Sequence, residues 1–282
     1  MIVNGLMLSA YAITCLLPML HMLALSLSNS TKAEVGLVGL IPVGFNLDSY
    51  KLIFSNNEFY RAFGNSLLRL LVGVPLNMLM TVLAAYPLSR PNSQLRFRTL
   101  ISWFFVFTTI FSGGMIPSYM LVNALHLNDT VWALVLPSAV PVFNVILMIN
   151  FFKQVPEDFY EAALLDGAGE LTIMSRIYVP LALPSIVTVL LFIIVSHWNA
   201  WFDGVIYMSD IKYYPLQSYL QSVVINKFDL ASMYENIGAY ANLSQQTVDA
   251  ARLFMAVTPI ILIYLPLQKY FIKGLTLGGV KG

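Results

Sequence analysis

Charge is scarce in this sequence: charged residues make up 10% of 282 positions and the formal net charge is +1. So balanced a chain argues against a nucleic-acid partner, which needs a concentrated basic face. Cysteine is scarcer still. The single Cys15 lies in an apolar run, so neither a disulfide framework nor a cysteine metal cluster is expected. No GxxxxGK phosphate loop and no HExxH pair occurs, and His21, His126 and His197 stand far apart. ATP binding and metal chemistry are therefore not predicted for this chain. Glu161 and Asp166 are the nearest approach to an acid pair, and helix docking and turn setting suit them better than catalysis.

What is abundant points to a bilayer. Hydrophobic residues make up 58% of the chain and the mean hydropathy is +0.75, as in a membrane protein rather than a soluble domain with a large core. Six runs approach the ~20 residues a helix needs to cross the hydrocarbon layer, at about 5–28, 65–88, 99–121, 130–152, 181–206 and 250–271. The predicted fold is all-α, a polytopic membrane protein with residues 1–282 as one transmembrane domain. The first run lacks a basic leader and is too long for a signal-peptide apolar region, so it reads as a retained span. Residues 29–64 are polar and mixed and are expected to form a loop outside the membrane. Gly113, Gly114 and Pro117 interrupt the third run, and Pro137, Pro141 and Asn144 stand in the fourth. Glycine and proline at that depth mark kinks or close helix contacts. Arg69, one turn into the second run, is expected to snorkel to the interface rather than to meet a substrate.

A polar island, PEDFYEAALLDGAGELTIMSRIYVPLALP from Pro156 to Pro184, separates the fourth and fifth runs. Pro156 can open a helix, and Glu157 and Asp158 set negative charge at its positive end, so a short helix is predicted to about Asp166. Gly167 and Gly169 break it, and a second helical piece is predicted from Glu170 to Val179, before Pro180. Phe159, Ala162, Ala163 and Asp166 follow i, i+3, i+4, i+7 spacing and should share one face, where the alanines permit close approach by another surface.

Glu161-Ala162-Ala163, Asp166-Gly167-Ala168-Gly169, Ile177 and Pro180-Leu181 resemble the EAA loop of bacterial ABC-importer permeases, with the spacing of the carbohydrate-uptake group. The resemblance extends to LNDTVWAL at 127–134, Trp198-Asn199-Ala200-Trp201, Tyr214-Pro215-Leu216 and the tail FIKGLT at 271–276, and so covers nearly the whole chain. SGGMIP at 112–117 is similar to the subgroup that moves larger or acidic oligosaccharides, such as pectin- or alginate-derived ones. Members usually begin with a charged cytoplasmic segment, which does not precede the first run here.

The resemblance implies a type I ABC-importer permease fold with six transmembrane helices and a cytoplasmic coupling-helix loop at 156–180. It implies that Phe159, Glu161, Ala162, Ala163, Asp166, Gly167, Ala168 and Gly169 couple the chain to an ATPase, the short helix docking into a groove on that subunit. The implied partners are a homologous second permease subunit, two ATPase subunits carrying ATP and Mg, a periplasmic or lipid-anchored sugar-binding protein, an oligosaccharide and membrane lipid. The chain itself is expected to bind no cofactor. The implied location is the bacterial cytoplasmic (inner) membrane. With the loop inside, Arg90, Arg96, Arg98, Lys153, Arg176, Lys269, Lys273 and Lys281 fall on the inner side, and Lys32, Lys51, Arg61, Lys212 and Lys227 are spread over longer outer segments. That density agrees with the positive-inside rule and places both termini in the cytoplasm.

Asn144, His197, Trp198, Asn199 and Trp201 are candidate substrate-path residues, because polar groups in spans generally face a cavity or another helix. Aromatic rings can cover apolar sugar faces while amide and imidazole groups bond to hydroxyls. An interfacial aromatic belt explains the tryptophans equally well, helix-to-helix hydrogen bonding the asparagines, and plain packing His197. The segment 207–249, with Asn226, Asp229, Glu235 and Asn236, is expected either to meet the binding protein or to be a solvated connector. The expected function is that of a permease subunit passing sugar from a binding protein by alternating access. One rival is an ion-coupled secondary transporter, for which Asp203, the sole acidic residue within the six runs, is the support. The other is a membrane-embedded glycan or lipid enzyme, which requires a clustered acid or metal site that the sequence does not display.

Overall fold

A polypeptide in lipid must satisfy its backbone hydrogen bonds within itself, and a run of apolar residues does so as a helix. The computed structural model describes residues 2–91, 93–225 and 243–279, and every regular element among them is helical. Asn226, Lys227, Asp229, Glu235, Asn236 and Lys281 lie outside the described residues. In chain order the helices are α1 (Ile2–Ser26), α2 (Ser30–Glu34), α3 (Asp48–Ser55), α4 (Asn57–Ser89), α5 (Arg98–Ile110), α6 (Met115–Ala124), α7 (Val131–Val135) and α8 (Val142–Phe152). They continue as α9 (Glu157–Leu165), α10 (Glu170–Ile173), α11 (Val179–Leu181), α12 (Leu183–Asn199), α13 (Phe202–Tyr207), α14 (Leu216–Ile225) and α15 (Gln245–Gly279).

Within α1, α4 and α15 lie continuous stretches long and apolar enough to cross a membrane. The third and fourth runs are broken: α5 meets α6 at 108°, and the limb of α7 and its 3-10 extension meets α8 at 51°. In the fifth, α12 meets the α10 to α11 limb of the preceding loop at 86°. Each bent pair taken as one unit gives the six expected from hydropathy. The third run is thus no single helix over 99–121. Gly114, at φ +86°, adopts a backbone conformation that side-chained residues avoid, whereas Pro117 sits in the first turn of α6, where its missing N–H is not needed. In the fourth run Pro137 falls in the 3-10 turn Leu136–Ser138 and Pro141 precedes α8 as its cap. Residues 29–64 also differ from the expected loop, since they contain α2, α3 and the first turns of α4.

The chain forms two compact units. In the first, residues 1–65 and 210–261, the Asn29 carboxamide caps α2 by accepting from Thr31 N and Lys32 N. The Ser28 hydroxyl donates to Ala24 O at 2.6 Å and accepts from Val43 N at 3.0 Å, closing the 29–43 segment over Ala24, Ala33 and Val38. The Asn65 carboxamide donates to Lys212 O and Tyr214 O at 2.9 and 3.1 Å, which anchors the Tyr214-Pro215-Leu216 motif.

The second unit, residues 66–209 and 262–282, holds the main core. Val82, Ala85 and Tyr86 of α4 pack with Val145, Met148 and Phe152 of α8, Tyr160 and Ala163 of α9, and Val189 and Ile193 of α12. In a lipid solvent the gain from such a core is close packing rather than dewatering. Because Tyr160 and Ala163 belong to this core, α9 is held directly against the bundle.

Candidate functional site

Local chemistry shapes the loop after α8. Pro156 caps α9 in an extended conformation (φ −57°, ψ 137°), so it precedes the helix instead of opening it. At the far end Ala168 N donates to Ala163 O at 2.9 Å and Gly167 N to Leu164 O at 3.0 Å. This pair of bonds around a left-handed residue is a Schellman cap, and Gly167 at φ +74° supplies that residue. Gly169 then caps α10, its carbonyl accepting from Thr172 N and Ile173 N. Asp166, Gly167, Ala168 and Gly169 therefore build one stop-and-restart turn. The second piece runs two residues beyond the predicted Val179, through a π turn at Met174–Tyr178 and on to Leu181.

The predicted common face of α9 divides. Ala163 turns inward beside Tyr160, whereas Phe159, Ala162 and Asp166 stay on the outer side. The reason is the core beneath, which accepts the residues three apart at 160 and 163. Glu161 and Leu164 are exposed as well, and Leu165 is 90% exposed. Phe159, Leu164 and Leu165 thus form an apolar patch displayed on a polar loop. Sequence reasoning passed over Leu165 because its position fits no periodic stripe.

Beneath α9 lies a cluster that sequence reasoning missed. Arg90, one residue past α4, is buried, its guanidinium carbon 4.8, 3.9 and 4.2 Å from the ring centroids of Tyr86, Tyr160 and Tyr178. It donates to the hydroxyls of Tyr178 (2.7 Å) and Tyr86 (3.0 Å). Tyr86 and Tyr160 in turn donate to the two carboxylate oxygens of Glu170 at 2.6 and 2.7 Å. Burial opposes the charge on Glu170, but the two tyrosine hydroxyls and the nearby Arg90 outweigh it and hold the carboxyl below its ordinary value. The signal available in sequence was the Tyr86 to Arg90 spacing of four, one helical turn.

The second polar cluster lies within the spans. Arg69 is 2% exposed and does not snorkel. Its guanidinium forms a two-pronged ion pair with Asp203 and also donates to Leu134 O and Ala200 O, both at 3.3 Å. Its Nε donates to His197 Nδ1 at 3.3 Å. The structure thus brings His197 together with Arg69 and Asp203, and the burial of Arg69 explains why its guanidinium takes the part-buried Asp203 carboxylate as counter-ion. Asp203 was the sole support for ion coupling, and here it serves as a structural counter-ion. The imidazole also faces Gly73, where there is no room for a Cβ. Trp198 is buried at 2% exposure and Asn144 at 6%, while Asn199 and Trp201 remain exposed, Trp201 edge-on to Phe202. Of the five candidate path residues, these last two are the exposed ones. Among the described residues no three His, Cys, Asp or Glu side chains converge in a way that could hold a metal.

Comparison with known proteins agrees with this geometry. Residues 54–273 match the family described as binding-protein-dependent transport system inner membrane component. The chain is 36% identical over its whole length to the polygalacturonan/rhamnogalacturonan transport system permease protein YtcP of Bacillus subtilis, covering 98% of that protein. It is 37% identical to protein LplC of the same organism, over 99% of this chain and 94% of the relative. Among solved structures it resembles a chain from a bacterial ABC transporter involved in the import of the acidic polysaccharide alginate. That likeness has a TM-score of 0.87 and 30% identity, over 96% of this chain and 95% of the other. The helical bundle, the capped EAA loop and similarity along nearly the full length together show that this chain is a transport subunit rather than an enzyme, a member of the binding-protein-dependent inner membrane components with the type I ABC-importer permease fold.

Proposed function

We propose that the chain is one permease half of an ATP-driven importer that passes oligosaccharides of acidic plant or algal polysaccharides across the cytoplasmic membrane. The observation that carries this reading is α9: a helix stopped by a Schellman turn, displaying Phe159 and Leu165, and backed by the bundle core. A homologous permease chain completes the pathway. Of two ATPase subunits, with ATP and Mg, one docks on the exposed side of α9, where Phe159, Glu161, Ala162 and Asp166 meet it, and the other serves the second permease chain. Ala163 seats the helix from within, and Gly167, Ala168 and Gly169 hold its turn. A periplasmic or lipid-anchored binding protein delivers the sugar from the opposite side, and both termini lie in the cytoplasm. The cargo class rests on the names of the relatives and on the alginate importer. Asn199 and Trp201 are the path residues open to it, and Asn144, His197 and Trp198 support the walls. Arg69 and Arg252 do not serve an anionic cargo, because Asp203 and Asp249 already neutralise them.

ATP binding closes the ATPase pair, α9 follows its groove, and the spans shift from an inward to an outward state. The test is hydrolysis and uptake by the reconstituted complex, with binding protein and oligogalacturonate, rhamnogalacturonan or alginate oligomers. The native chain is compared with Glu161→Lys and Leu165→Asp. Stimulation by loaded binding protein that both substitutions abolish supports the reading. If both variants assemble and transport as the native chain does, the docking surface is wrongly assigned.

A further inference from the structure

The proposed docking of α9 leaves open how its motion reaches the spans. Residues of three separate stretches converge on Arg90: Tyr86 at the end of α4, Tyr160 on α9, and Glu170 with Tyr178 on the loop's second helix. A guanidinium ringed by aromatic faces within about 6 Å, with its N–H groups bonded in directions set by its plane, resists both sliding and tilting. Glu170 closes the ring without touching Arg90. The negative charge is relayed through two tyrosine hydroxyls, so each tyrosine is fixed at its oxygen and at its ring face. The π turn at Met174–Tyr178 is part of the same arrangement. It interrupts an otherwise α-helical limb at the residue that places a hydroxyl on Arg90, and such turns usually accompany function.

The surroundings are not packed solid. A cavity of about 280 Å³ bordered by Ser89, Pro91, Lys153 and Glu157 opens on Arg90, and another of about 290 Å³ bordered by Leu83, Gln94, Leu171 and Met174 opens on Arg90 and Glu170. Space flanking a rigid knot allows the loop to turn about that knot. α4, which ends one residue before it, spans 33 residues, about 50 Å along its axis, with Pro75 and Pro87 inside it.

We infer that Arg90 and its tyrosine cage form the pivot through which movement of α9 is delivered to α4, with Arg90 as a positioning residue for transport. The inference rests on the proposed docking of α9, and its test separates the two. The complete reconstituted complex is assayed for sugar imported per ATP hydrolysed, with Arg90→Lys, Tyr160→Phe and Glu161→Lys. Arg90→Lys keeps the charge and loses the planar stack, and Tyr160→Phe keeps the ring and loses the bond to Glu170. Both cage variants are expected to hydrolyse ATP with native KM while the coupling ratio falls about 2- to 30-fold, the range for residues that link sites without touching either ligand. A purely structural role would lower transport and hydrolysis in proportion and leave the ratio unchanged, which overturns the inference. Should Arg90→Lys fail to assemble, the ratio of Tyr160→Phe decides in the same way. If Glu161→Lys uncouples while the cage variants do not, the pivot alone is refuted. If none of the three uncouples, the docking proposal falls with it.

Discussion

Gly73→Ala tests the packing of the intramembrane cluster. In an unobstructed helix interior, alanine gains about 0.5–1 kcal/mol over glycine. Here a Cβ at position 73 would sit 2.7 Å from His197 Cε1, 2.8 Å from Nε2 and 3.1 Å from Nδ1. Ordinary contact needs about 3.5–4.0 Å, so the imidazole must retreat by roughly 1 Å. It cannot do so freely, because Nδ1 accepts from Arg69, which is itself held by Asp203, Ala200 and Leu134. Overpacking of this kind costs about 1–3 kcal/mol, and weakening the Arg69 bond adds to it. After the helix gain is subtracted, the expected net loss is about 1–2 kcal/mol. The assay is reversible unfolding in detergent followed by tryptophan fluorescence, since Trp198 neighbours His197 in the chain. A double-mutant cycle with His197→Ala sharpens it. With the ring removed, alanine at 73 should become neutral or stabilising. A higher stability for Gly73→Ala in the native background would refute the contact.

Breaking the Arg69 to Asp203 pair by Asp203→Asn should destabilise by about 3–5 kcal/mol, because it strands a buried cation. The double change Arg69→Leu with Asp203→Leu should recover most of that loss in the same unfolding assay. Gly167→Ala should cost about 1–2 kcal/mol through the left-handed backbone alone, since a Cβ there meets nothing. Gly167→Asn should cost less, and equal midpoints for all three would exclude the Schellman turn. The acid response follows from Glu170, whose carboxyl is held low in the folded state. Its stabilisation is complete above the unfolded carboxyl value and disappears as pH falls through the lower folded one. Protection of the amides at 157–168, taken relative to the intrinsic exchange rate at each pH, should therefore fall over that acid window in the native chain, and an identical profile in Glu170→Gln would contradict the assignment.

Some of this architecture could be read directly. Pro156, Gly167 and Gly169 located α9 and its turn to within a residue, because capping depends on neighbours in the chain. Gly114 announced the break of the third run for the same reason. Sequence reasoning failed where a partner is remote. Arg69 resembled a snorkelling cation because Asp203 lies 134 positions away. Arg90 counted as one more basic residue beside the membrane until tyrosines from three segments enclosed it. Leu165 was overlooked because its importance is its exposure beside a core that took Tyr160 and Ala163.

From sequence alone, this protein is a six-run helical membrane subunit with an EAA loop, since hydropathy over ~20 residues and glycine or proline punctuation act through local free energies. Tertiary structure alone decided which face of α9 looks outward, which cation neutralises Asp203 and which rings surround Arg90. Those outcomes depend on which helices become neighbours. In a low-dielectric interior, a charge is defined by the partner brought beside it rather than by its place in the chain.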